Sequence, residues 1–82
     1  MINEIWALDE ARLRSFFDAQ IDVAPQGAGY QFLHTAITFS PVPPNPQARF
    51  QPKRTEITFD GPPSEEQTIY RRFFLCFVSA GG

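Results

Sequence analysis

The chain has 82 residues, 43% hydrophobic and 20% charged, with nine phenylalanines and a net charge of -2. That length is one domain, residues 1–82, and the composition is too apolar for a disordered chain. The slight acidity gives no general attraction to nucleic acid or an anionic membrane, and one cysteine with one histidine excludes an internal disulfide and a four-ligand zinc site.

No stretch approaches the roughly 20 apolar residues of a membrane span. Met1-Ile2-Asn3-Glu4 lacks the basic region of a signal peptide, and a lone thiol suits a reducing compartment, so a cytoplasmic location is expected. A domain this small has limited surface to bury, which leaves association as a natural source of extra stability.

Residues 1–22 read as a helix. Asp9 is a good N-cap, Glu10 sits in the first turn, and Leu8 with Leu13 has the spacing of a hydrophobic staple. Leu13, Phe16 and Phe17 form the apolar stripe. If the helix starts at Asp9, Ile5 and Trp6 belong to an apolar lead-in arm. Pro25 and Gly27-Ala28-Gly29 are turn chemistry, and without a preceding strand and a following helix they do not make a phosphate loop.

Tyr30 to Ser40 reads as one long strand. Leu33, Ile37 and Phe39 fall on one face, and Tyr30, Phe32, His34 and Ala36 on the other. Pro41 to Pro52 is a stiff connection with four prolines in its first six residues. It ends in the only basic cluster, Arg49, Phe50, Lys53 and Arg54, where cations and an aromatic ring have the chemistry to meet a phosphate backbone and a base. The acidic residues on either side argue against that use. Thr55 to Phe59 alternates clearly, as an edge or one-sided strand does. The last strand is expected from about Thr68 to Ser79, with Phe73, Leu75 and Phe77 on one face and Phe74, Cys76 and Val78 on the other.

The expected fold is therefore α+β, in α-β-β-β order. An N-terminal helix packs on a three-stranded, mainly antiparallel sheet, with the Pro-rich loop between the first two strands. One helix covers one sheet face. The other keeps Tyr30, Phe32 and His34 beside Phe74, Cys76 and Val78, and an apolar patch of that kind marks a protein-binding surface. A second copy in a homodimer, a foreign protein, or the Pro-rich loop with the residue 1–8 arm would cover it.

Catalysis finds little support. His34 has no nucleophile and orienting acid nearby in sequence, and Cys76, as a buried strand cysteine, has no cause to ionise. No catalytic, metal-binding or cofactor-binding residues are expected. The tail Phe77-Val78-Ser79-Ala80-Gly81-Gly82 resembles that of ubiquitin-like modifiers and β-grasp sulfur carriers. The resemblance implies that the carboxylate of the Gly81-Gly82 terminus is activated by an E1-like enzyme, although β-grasp chains place the helix after a first hairpin. The leading expectation is a small non-enzymatic protein-binding module of the inhibitor or adaptor type, such as phages and mobile elements encode. A tail-activated carrier and a weak nucleic-acid binder are the alternatives.

Overall fold

The computed structural model describes residues 1–47, 49–50 and 52–81, with the backbone alone for 79–81. Its elements are β1 (Ile2–Trp6), α1 (Glu10–Asp18), β2 (Val23–Gln26), β3 (Gly29–Phe32), β4 (Thr35–Pro41), β5 (Thr55–Asp60) and α2 (Pro63–Gly81). The class is α+β as expected, with five strands rather than three and a second helix in place of the last strand. The sheet runs β1-β5-β4-β3-β2, with every neighbouring pair antiparallel.

The terminal apolar segment is a helix because its inward residues recur every three or four positions. Glu66, Ile69, Phe73 and Phe77 are buried, while Leu75, Cys76 and Val78 are exposed. Pro63 occupies the first helical position, where a missing N–H costs nothing. Glu65 and Glu66 follow in the first turn, where the helix dipole favours acids. The Glu66 carboxylate turns back to accept the Gly61 N–H at 2.7 Å. A helix this rich in apolar residues looks two-faced when read with period two, which is why its sequence resembles a buried strand.

The segment 30–40 is two strands. Phe32 pairs with Thr35 across a two-residue turn, Leu33-His34, and Leu33 carries a positive φ of 55°. That turn shifts the alternation by one place. Tyr30, Phe32, Thr35, Ile37 and Phe39 therefore all face the helices, and Ala36, Thr38 and Ser40 face solvent. A second two-residue turn, Gly27-Ala28, joins β2 to β3, and Gly27 supplies its positive φ of 57°. Pro25 is tolerated in β2 because β2 is an edge strand.

The N-terminal helix is shorter than residues 1–22. Asp9 caps it, its Oδ1 accepting the Arg12 N–H at 2.9 Å. The preceding arm is β1, paired to β5 from Ile2↔Phe59 to Trp6↔Thr55. Strand β5 is thus interior in the sheet, and it is one-sided as expected: Thr55, Ile57 and Phe59 are buried and Asp60 is exposed. The Pro-rich loop connects β4 to β5.

Both helices lie on the same sheet face. Phe16 and Phe17 of α1 and Phe73 of α2 meet between them, with Phe73 stacked on Phe17 at 6.3 Å and edge-on to Trp6 at 4.9 Å. Arg72 ties α2 to the segment after α1, donating to Asp22 at 2.8 Å, with its guanidinium 5.4 Å from the Phe32 ring. The opposite sheet face is open and mostly polar. Asn3, Thr58 and Thr38 form one row across it and Ile5, Glu56 and Ser40 the next. Asn3 Nδ2 donates to Thr58 Oγ1 at 2.8 Å and Glu56 Oε2 at 3.1 Å.

Candidate interaction surface at β1 and α2

The expected aromatic sheet face does not form. Tyr30 and Phe32 are each 4% exposed and belong to the core, because the Leu33-His34 turn carries both to the helix side. The Tyr30 hydroxyl donates to Asp18 Oδ1 at 2.7 Å, and burial raises its pKa above the ordinary 10.0, with the Asp18 bond acting in the same direction. His34 sits at the hairpin tip. Its backbone N–H donates to Glu65 Oε1 at 2.8 Å, and its ring Nδ1 lies 3.3 Å from Glu65 Oε2. These contacts hold the Glu65 carboxyl below its ordinary range, the backbone bond contributing most. Phe74, Cys76 and Val78 are on α2, apart from Tyr30 and Phe32. Cys76 is exposed on a helix, not buried in a strand.

What the fold assembles instead is an aromatic ledge along the sheet's first edge. Strand β1 has one neighbour, β5, so its outer edge presents backbone N–H and C=O groups with no strand to receive them. Above that edge α2 projects Phe74. Its ring lies 5.8 Å from Trp6, edge-on, and 5.9 Å from Tyr70. Glu4 ties two of the three rings together: its Oε1 accepts from Trp6 Nε1 at 2.9 Å and from the Tyr70 hydroxyl at 2.8 Å. Burial, reinforced by Glu4, pushes the Tyr70 phenol up to about 12. Beyond Phe74, the outer surface of α2 continues with Leu75 and Val78, 57% and 44% exposed.

Sequence reasoning places Trp6 in a lead-in arm and Leu75 on a strand face, and puts neither in a binding surface. The β1 alternation is hard to see because it inverts the usual chemistry: Glu4 lies on the helix side with Ile2 and Trp6, while Ile5 lies on the open side. Leu75 reads as a core residue as long as the segment reads as a strand.

The basic cluster is divided. Lys53 and Arg54 line a groove of about 510 Å³ between the start of α1 and the Pro-rich loop, whereas Arg49 and Phe50 are exposed and outside it. At the C-terminus Gly81 is the last residue of α2, and Gly82 lies outside the described residues. An activated tail needs a thin extended thread, and the backbone as far as Gly81 is helical. Among the described residues there is no group of three or more His, Cys, Asp or Glu arranged to hold a metal ion, and no helix long and apolar enough to cross a membrane.

No family model matches the chain, and comparison with curated proteins and with solved structures yields no match.

Proposed function

We propose that the chain is a non-enzymatic protein-binding module that takes an extended segment of a partner along the free edge of β1, beneath the overhang of α2. The observation that carries this reading is the conjunction of an unpaired strand edge with an exposed apolar helix flank, joined through the Trp6–Phe74 contact. Strand addition obtains affinity from main-chain hydrogen bonds, and specificity from every second side chain of the added strand. Here those side chains would meet Trp6 and Phe74 from below. Aromatic anchors beside a polar surround are the composition of binding hot spots. The open sheet face, with its Thr38, Ser40 and Thr58, offers no comparable apolar patch.

Affinity capture from native host extract tests the reading with three baits: the wild type, Val78→Glu and the sheet-face control Thr38→Glu. Both substituted positions are exposed, so both variants should fold. A partner retained by wild type and Thr38→Glu but lost with Val78→Glu supports the α2 flank as the contact. Equal capture by all three, or loss only with Thr38→Glu, refutes it. Light scattering of the purified chain separates a second copy from a foreign partner.

A further inference from the structure

The two edges of the sheet are not equivalent. At the β2 edge Pro25 has no N–H to offer. Strand β1, Ile2-Asn3-Glu4-Ile5-Trp6, contains no proline, so every residue carries both backbone groups. An added strand is better received at β1, and what it must carry is decided by Glu4 at the strand's centre.

Glu4 is half-buried on the helix side, between Ile2 and Trp6 in the alternation. Both donors to its Oε1, Trp6 Nε1 and the Tyr70 hydroxyl, are neutral. Its Oε2 accepts no hydrogen bond among the described residues and is not sealed from solvent. No cation among the described residues forms an ion pair with Glu4. The side chains of β1 and its neighbour β5 include Glu4, Glu56 and Asp60 and no lysine or arginine. The cations around them are occupied or set apart. The Met1 ammonium is held by Glu66, and Arg72 is turned away to Asp22. Arg71 is exposed on α2, and Lys53 and Arg54 line the groove beside α1. The ledge thus combines a negative charge with the Trp6, Tyr70 and Phe74 rings.

A strand seated against β1 beneath α2 takes water away from Glu4, and a carboxylate without a counter-charge resists that strongly. A second copy is the worst occupant. Antiparallel pairing of β1 with itself over its whole length sets Glu4 opposite Glu4, and like charges directly opposite destabilise a strand pair. A lysine or arginine in that place is the best occupant. Its charge reaches Glu4 Oε2, and its aliphatic stem lies along the Trp6 and Phe74 rings, which also attract a cation.

We infer that the segment taken at the β1 edge is a basic one from another protein, with a lysine or arginine opposite Glu4 and an apolar residue two places along meeting Trp6 and Phe74. The inference rests on the strand-addition reading and adds to it the chemistry of the occupant.

The test is selection of a displayed library of random peptides on three forms of the purified full chain: wild type, Glu4→Gln and Val78→Glu. Glutamine keeps an acceptor for Trp6 and Tyr70 and removes only the charge. Peptides selected on wild type should be extended and apolar, and should carry lysine or arginine at one fixed place about fivefold more often than a neutral residue, as one partly exposed ion pair gives. That preference should shrink in high salt and vanish on Glu4→Gln, while Val78→Glu should lose the peptides altogether. Peptides lost on Val78→Glu but without a basic preference, or with one that persists on Glu4→Gln, would overturn the inference and leave strand addition standing. Peptides indifferent to Val78→Glu, or no selection at all, would overturn both. A wild-type dimer in light scattering that Val78→Glu dissolves would overturn the inference by seating a second copy in the same place.

Discussion

If α2 is a helix docked through every fourth residue, truncating Phe73 and truncating Leu75 must have very different consequences. Phe73 is fully buried, with ring partners in Trp6, Phe16, Phe17, Phe59, Tyr70 and Phe77. Removing such a ring costs about 3–5 kcal/mol, through lost transfer energy and the cavity left behind. A chain of 82 residues has a total stability of about 4–12 kcal/mol. Phe73→Ala should therefore consume about a quarter of it or more and lower the melting temperature by at least about 12 °C. Leu75 is 57% exposed, and alanine is the better helix former, so Leu75→Ala should stay within about 0.5 kcal/mol. Urea unfolding followed by far-UV circular dichroism and by Trp6 fluorescence measures both, since Trp6 lies 4.9 Å from Phe73. Phe73→Leu, expected to cost about 1–1.5 kcal/mol, supplies the comparison if the alanine variant does not fold. In a strand, Phe73 and Leu75 would share a face. Equal losses for the two alanine variants would refute the helical docking.

Leu33→Gly should stabilise the fold by about 0.5–1 kcal/mol, visible as a raised urea midpoint. It relieves about 1–2 kcal/mol of strain at φ 55° and gives back part of that in chain entropy. Stability should fall at both ends of the pH range, for opposite reasons. The Tyr70 pKa is raised from 10.0 to about 12, so its stabilisation is complete below 10 and is lost as pH rises through about 12, by about 2 kcal/mol at most. Glu65 and Asp22 lie below their ordinary 4.5 and 3.8, Glu65 chiefly through the His34 N–H and Asp22 chiefly through Arg72, so their contribution is present above those values and is lost as pH falls below them. Urea midpoints across pH should flatten at the alkaline end in Tyr70→Phe and at the acid end in Glu65→Gln.

Local signals in the sequence were legible where a single residue determines a single bond. The Asp9 cap, the acid in the first turn of α1, the Leu8 and Leu13 pair now buried in one core, and the alternation of Thr55 to Phe59 all appear in the fold. Two features defeated the reading, and both concern parity. A two-residue turn hidden inside Tyr30 to Ser40 has none of the usual Asn-Gly signals, because Leu33 takes the positive φ itself. Missing it assigned Tyr30 and Phe32 to the wrong face. In α2 the i, i+4 series Ile69, Phe73, Phe77 was present but masked by Phe74, Leu75, Cys76 and Val78, which fill the intervening positions with apolar groups. Those extra apolar residues now form the exposed flank, so the ambiguity in the sequence and the candidate surface have the same source.

The pairing of β1 with β5 has a consequence for how the chain is made. Asn3 and its register partner Thr58 are 55 residues apart. The meander from β2 to β4 can close as soon as its own turns emerge, but β1 has no neighbour until β5 exists. At about 5–20 residues per second, a nascent β1 waits roughly 3–10 s for its partner. During that interval both of its edges are bare, and the half-buried Trp6 has no Phe73 to pack against. Synthesis thus places the strand with the free edge first and completes it last, which makes β1 the segment most open to capture by another chain before folding ends.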